Sequence, residues 1–337
     1  MKRRLLSLAF ILPVIASGFL VEAHAQTRAR ANAPVAPNLM SSLPESDAVA
    51  HIRVKQLLND AMPRILAGNP AKLNEANAQL DKFKERTGLD PRMFQQIALG
   101  VRFTHPVEGV TRAQTVALAN GSFSPAAMVA AGRVASNGKY REEKYKNKTI
   151  YVFTLDEHIR LLGMFNFRLS EFAAAPLDNN TLALGDPAGV RAAIDVSGAT
   201  TNANTELIAL ASRDPNAIIG FGGNMSDQLV DNLDIGNAPI IGELKNLRQV
   251  YGSVTTTDRD LQLFLGARAV NASAAKNLGD TLEGIKQFGA LMVGRLSGAK
   301  GVLAKSALAN MTITAAADEL QIRTSVAQAE VGPLLGY

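Results

Sequence analysis

Cysteine and tryptophan are absent from the 337 residues, and the aromatic residues together make up only 5% of them. Without thiols the chain has no disulfides, thiolate metal sites, iron–sulfur clusters or cysteine nucleophiles. With so few aromatic rings, its interior must be assembled from small and aliphatic side chains. Charge is sparse as well, at 19% of residues, and 35 Lys and Arg against 30 Asp and Glu give a formal +5. That excess is too small and too dispersed for the basic stripe of a nucleic-acid binder. No Gly-x-Ser-x-Gly elbow, no Gly-x4-Gly-Lys-Ser/Thr phosphate loop and no EF-hand pattern occurs, so serine-hydrolase, P-loop and calcium-sensor chemistries lack their minimum residues.

What is present suffices for folding. Apolar residues make up 47% of the chain, 52 positions are alanine, and the length allows roughly two domains of ordinary size. The expected class is α+β, in two similar halves, each a mostly antiparallel sheet with helices packed on one face.

The first 25 residues read as an address. Lys2, Arg3 and Arg4 precede an apolar run from Leu5 to Val21, and Ala23 and Ala25 occupy the small-residue positions of a signal-peptidase site. Pro13, Ser17 and Gly18 interrupt the run, which falls short of the roughly 20 apolar residues of a membrane span. Cleavage after Ala25, export to the periplasm or beyond, and no transmembrane helix in the processed chain are therefore expected. Loss of Lys2, Arg3, Arg4 and Glu22 leaves 32 basic and 29 acidic residues. Residues 26–43, with Pro34, Pro37 and no hydrophobic period, read as a flexible linker.

From Pro44 one order of elements occurs twice, over 44–200 and again over 213–337. Each copy opens with a strand, at Asp47–Val54 and at Asn216–Phe221, that runs into an amphipathic helix. Two strands follow, Gln96–Phe103 with Thr115–Phe123, and Gln249–Thr256 with Leu261–Val270, and then a helix from Ser124-Pro125 or from about Ser273. A hairpin closes each copy, around Asp178-Asn179-Asn180 or around Ala317-Asp318-Glu319. The first copy adds a helix over 69–88, capped by Asn69 with Pro70 at its first position, and a basic hairpin over 139–153. Leu43 to Asp47, Gly88 to Arg92 before the strand Ile97–Phe103, and the paired strand-then-alanine-helix blocks resemble an uncharacterised group of secreted bacterial proteins with a duplicated α+β unit. The resemblance implies secretion and repeated architecture, and no activity.

Candidate chemistry is thin. His51, His105 and His158 remain after processing, with no two at metal-ligand spacing, and no metal or other cofactor is expected. His51 falls in the first strand, and His105-Pro106 reads as a turn. His158 follows Asp156 and Glu157, a trio that suits a solvated helix start and also a base oriented by a carboxylate. Gly220-Phe-Gly-Gly-Asn224 precedes the helix cap Ser226, making Gly222, Gly223, Asn224 and Ser226 candidates for holding an anion at a helix start. Close packing of a helix on the strand explains the same glycines. Lys139 to Lys148 interleaves Tyr140 and Tyr145 with cations, as a polyanion-binding arm or a solvated hairpin would.

The helix from Ser273 to about Leu296 carries Leu278, Leu282, Ile285, Phe288, Met292 and Leu296 on one face. Lys276, Asp280, Glu283 and Lys286, of both signs, lie mostly opposite, so this stripe is expected to be buried against the second sheet. It is not expected to meet a membrane or a partner. Two functions fit these residues: a noncatalytic envelope protein that binds an envelope component or an apolar ligand, or a hydrolase-like enzyme using carboxylates and His158.

Overall fold

The computed structural model describes residues 39–334, apart from 88–89, 108–109, 137, 162–164, 198–202 and 232–239. The expected signal segment and cleavage site, most of the linker and the stop at Gly88 lie outside the described residues. The fold is α+β. Among the described residues its twelve strands are β1 (Ala48–Ile52), β2 (Phe94–Val107), β3 (Val110–Gly121), β4 (Tyr140–Tyr145), β5 (Lys148–Leu161), β6 (Phe165–Pro176), β7 (Thr181–Gly185), β8 (Ile219–Asn224), β9 (Leu247–Thr256), β10 (Asp260–Ala269), β11 (Thr312–Ala316) and β12 (Glu319–Ala327).

These strands form one sheet, in the order β11-β12-β10-β9-β8-β1-β2-β3-β7-β6-β5-β4, with antiparallel pairing throughout. Two separate sheets were expected; instead β1 pairs with β8, Ala48 opposite Gly223 and Ile52 opposite Ile219, and joins everything edge to edge. Outward from that seam the order is β1-β2-β3-β7-β6 on one flank and β8-β9-β10-β12-β11 on the other. The hairpin β4-β5 extends the first flank only.

Six longer helices connect the strands: α1 (Pro70–Thr87), α2 (Pro125–Ala135), α3 (Pro187–Val196), α4 (Thr205–Ala211), α5 (Ala272–Val293) and α6 (Gly298–Ala309). Their starts follow local chemistry. The side chains of Asn69, Ser124, Asp186 and Asn271 each accept a hydrogen bond from the backbone N–H three residues on. Three of these helices open with proline, whose missing N–H has no partner to lose there.

Helices cover both faces of the sheet, contrary to the one-face expectation. On one face α3, α4 and the 3-10 turn Leu39–Ser42 close over Val49, Ala98, Val116, Leu118, Val152 and Ala183. On the other, α2 covers Phe153, Ala174 and Leu182, the helical segment 54–65 packs on Ile218 and Leu261, and α5 and α6 lie over Leu320 and Val326. The alternation of each strand is thereby apolar on both sides near the centre, where small residues such as Ala98, Ala119, Ala173 and Ala183 let helices approach. Leu39, Met40 and Leu43 are almost fully buried, so the tail of the expected linker is core. His105-Pro106 is not a turn but lies inside β2, where the register with β3 shifts. Asp156, Glu157 and His158 belong to β5, beside another register shift, and not to a helix start.

Candidate functional site

The glycines of β8 serve the sheet. A side-chain carbon on Gly220 would stand 2.1 Å from the Ala211 carbonyl, and one on Gly222 would stand 2.7 Å from that of Leu207. Helix α4 therefore lies directly on this strand because it has no side chains on that face. Gly223 faces the other way, toward Ala48. β8 is flanked by β1 and β9, which engage its backbone groups in the ladder. The Asn224 side-chain oxygen accepts a hydrogen bond from Gln249, and Ser226 caps the short helix Asp227–Asp231 through the Leu229 N–H at 3.2 Å.

Two clefts open beside the central seam. The first, about 300 Å³, is lined by Glu45, Asp47, Arg102, Asn204, Glu206 and Asn224 among others. Of the four glycine-cluster candidates, only Asn224 lines it. Its polar groups serve the fold: Asp47 accepts from the Phe103 N–H at 2.7 Å, Arg102 pairs with Glu45 at 3.2 Å, and Glu206 pairs with Arg268 at 2.9 Å. The second, about 240 Å³, is lined by Leu39, Met40, His51, Arg53, Asp214 and neighbours. Burial, reinforced by the Arg53 charge, brings the His51 imidazole down to about 4, so the ring is neutral near pH 7. Its Nδ1 is buried without a partner. Arg53 donates to the Pro215 carbonyl at 2.7 Å, and Asp214 accepts from the Asn216 N–H and from the Thr255 hydroxyl. Among the described residues, no three His, Asp or Glu side chains converge as metal ligands would.

The basic hairpin is knitted to its own flank. Arg191 of α3 chelates Glu143 through two hydrogen bonds of 2.8 and 2.6 Å, Arg141 pairs with Glu171, and Lys146 pairs with Asp195 at 2.5 Å. The Glu143 and Glu171 carboxyls are held below the usual range by those arginines. A chain of alternating pairs protects the edge strand β4 from adding another strand.

The largest departure from expectation is α5. Its position between β10 and the closing hairpin matches that of α2 between β3 and the strands that return beside it. Yet α2 has 11 residues and α5 has 22. The first half of α5 lies on the sheet: Ala274, Ala275, Leu278 and Gly279 are buried, and Gly279 sits against Leu320, Ala315 and Ile313. The second half outruns it. Ile285 is 49% exposed, Phe288 65%, Leu291 76%, Met292 41%, and Leu296 in the turn to α6 is 51%. The stripe expected to be buried over four turns is buried only at its beginning.

The sequence of one helical row shows the change. Ser273, Asn277 and Thr281 succeed one another at four-residue spacing, and Ile285, Phe288 and Met292 continue the row. Polar residues occupy it where its reverse side is packed on the sheet, and apolar ones where the helix projects. The apolar arc of the second half is wider than the face that Gly289 and Val293 turn inward, where a side-chain carbon on Gly289 would stand 3.7 Å from Leu308 of α6. Sequence reading missed this because an apolar stripe looks the same whether or not a sheet continues beneath it.

No family model matches this chain, and no curated protein sequence matches it. Solved structures do. Crystal forms III and IV of TP0453 each have a TM-score of 0.42 at 11% identity, over 88% of this chain and 96% of theirs. Crystal form I has a TM-score of 0.41 at 10% identity, over 88% of this chain and 95% of its own.

Proposed function

We propose that this chain is a noncatalytic, exported envelope protein that works by docking, and that its docking surface is the projecting half of α5 with the turn into α6. The observation that carries this reading is the contiguous exposure of Ile285, Phe288, Leu291 and Met292 on one helix. Large apolar side chains scattered singly over a surface need no explanation, but a row of four on a helix that has outrun its sheet calls for an occupant. The two clefts support the same reading, because their carboxylates and arginines are already paired within the fold. The signal-like residues 1–25 support export. No described helix is long and apolar enough to cross a membrane.

The matching strand order of the two flanks supports reading 44–200 and 213–337 as related halves, which superposing β1-β2-β3-β7-β6 on β8-β9-β10-β12-β11 would test. In that frame the docking element is an elaboration of the second half alone.

The function is tested by fractionating cells that produce the protein with Phe288→Ser and Leu291→Ser together. The original chain should sediment with envelope fractions and the double variant should move to the soluble pool with its thermal unfolding unchanged. Equal distribution of the two would reject the docking surface. N-terminal sequencing of the recovered protein should begin at Gln26; a chain starting at Met1 would reject export by cleavage.

A further inference from the structure

The two ends of the sheet differ. At β4 the edge is guarded by charges paired along it, whereas β11, the edge at the other end, reads Thr312-Ile313-Thr314-Ala315-Ala316, with neither charge nor proline. The charges of the strand behind β11 are engaged elsewhere: Glu319 pairs with Arg213, and Arg323 lies over the Phe264 ring at 4.6 Å and donates to Gln321. The registers show which backbone groups face outward. The Asp318 carbonyl accepts from the Ala269 N–H at 2.8 Å, so Asp318, Leu320 and Ile322 direct their backbone groups toward β10, and Glu319, Gln321 and Arg323 direct theirs toward β11. Opposite those three stand Ala316, Thr314 and Thr312. Ile313 and Ala315 therefore turn both N–H and C=O away from the sheet, and among the described residues these groups have no partner. Lys286 takes the Met311 carbonyl at 3.0 Å and closes the row at one end, and the turn at Ala317-Asp318 closes it at the other.

We propose that the occupant of this edge is a second copy of the chain, the two β11 strands pairing antiparallel about Thr314. In that register Ile313 of each copy faces Ala315 of the other, and every outward N–H and C=O of both residues is used. A ladder centred on Ile313 would run into the carbonyl that Lys286 holds, and one centred on Ala315 would run into the turn. Thr314 then meets Thr314 of the partner copy across the twofold, a cross-strand pair without charge. Joining bare edge to bare edge leaves a guarded β4 at both ends, so assembly closes at two copies. A foreign strand would be selected by pockets for its alternate side chains, whereas Thr314, Ala315 and Ala316 are short and stand exposed rather than walling a pocket. Helix α5 leaves the edge clear. A side-chain carbon on Gly279 would stand 3.3 Å from Leu320 of β12 and 4.0 Å from Ile313, which places α5 over the face of these two strands. Antiparallel pairing keeps each face of the sheet on the same side, so both α5 helices stand on one face of the pair. The pairing does not depend on the docking surface proposed above; where that surface acts, the pair presents it twice, and the second attachment follows at high effective concentration.

The chain has no cysteine, so a single introduced thiol reports the contact. Thr314→Cys should oxidise to a covalent dimer, because residues facing each other in a non-hydrogen-bonded pair have Cα atoms about 4.5 Å apart, within the span of a disulfide. Ala316→Cys, whose two copies would lie about 14 Å apart, should not. In sedimentation equilibrium the exported chain should show twice the mass of one copy. Thr314→Lys and Thr314→Glu should each lower the association constant about tenfold or more, and an equal mixture of the two should regain it, since opposite charges then meet across the twofold. Unchanged thermal unfolding in each variant shows that the fold survives. Crosslinking through Ala316→Cys as complete as through Thr314→Cys, or a dimer indifferent to Thr314→Lys, would overturn the proposal. Loss of the dimer in Phe288→Ser with Leu291→Ser, but not in Thr314→Lys, would move the interface to α5 and overturn it as well. A chain that is monomeric at every concentration, yet still needs Phe288 and Leu291 to sediment with envelope fractions, would sink the edge pairing and leave the docking surface standing.

Discussion

Tyr251 lies directly across from Gly266 in the β9–β10 ladder, and its ring fills the space where a side chain of residue 266 would be. A methyl group on Gly266 would stand 2.2 Å from the ring's Cζ. Tyr251 is fully buried, its ring centroid is 5.6 Å from that of Phe264, and its hydroxyl accepts a hydrogen bond from Arg213. In a chain short of aromatic residues, this ring is the largest fully buried side chain among the described residues, and the missing side chain at 266 is what admits it. Gly266→Ala should therefore destabilise the fold by about 1–3 kcal/mol through overpacking, read as a lower denaturant midpoint with an unchanged slope.

Asn204 ties residues 43–46 to the middle of the chain. Its oxygen accepts from the Ser46 N–H at 2.9 Å, and its amide nitrogen donates to the carbonyls of Pro44 and Leu43 at 2.8 and 3.3 Å. It is 2% exposed, so water cannot replace those partners without opening the structure. Asn204→Ala is expected to cost about 1–3 kcal/mol. Asn204→Asp should cost at least as much, because a carboxylate has no hydrogen to offer the two carbonyls. Amide hydrogen exchange at Ser46 should accelerate in both variants, and retained protection there would contradict the tie.

Much of this architecture was legible because short-range chemistry decides it. Proline and asparagine marked the start of α1, Ser124-Pro125 marked that of α2, and alternation marked most strands. What escaped depended on distance. The burial of Leu39, Met40 and Leu43 requires β1, β2 and β3 beneath them and α4 alongside, and nothing within residues 26–43 announces that surface. The pairing of β1 with β8 joins segments about 170 positions apart, and no turn residue encodes such a seam. Helix α6, rich in alanine and glycine, has too little contrast between its faces for periodicity to reveal it. Of the anion-site candidates, Ser226 was readable as a cap and the glycines as room for a packed helix, while which helix lies there, α4, needed the structure.

His51 makes stability depend on pH in a defined window. Its folded-state value of about 4 lies below the ordinary 6.5. Above that ordinary value both folded and unfolded chains hold the ring neutral, and it contributes nothing. As pH falls from 6.5 toward 4 the unfolded chain takes up a proton that the folded chain refuses, so stability declines. Below about 4 both forms are protonated and the loss is complete, on the order of 3 kcal/mol. His51→Gln cannot be charged and should lack this component. The difference between the denaturation free energies of the original and the variant, followed from pH 7 to pH 4, isolates it from the carboxylates titrating nearby. A difference that stays constant over that range would refute the buried neutral ring.

Leu278 and Phe288 occupy the same helix ten residues apart and should respond oppositely to truncation. Leu278 is 2% exposed and packs with Ala267, Ala275 and Leu320, so Leu278→Ala leaves a cavity that the rigid sheet beneath cannot fill. A loss of about 2–5 kcal/mol is expected. Phe288 is 65% exposed, and most of its ring already meets water in the folded chain. Phe288→Ala should change stability by no more than about 0.5 kcal/mol, the range of ordinary surface substitutions, with any helix-propensity gain acting in the stabilising direction. Urea titrations of the two variants, free of any membrane, decide the matter. A large loss for Phe288→Ala would mean that α5 bends down to bury its second half in solution, and the surface on which docking depends would then not exist in the free protein.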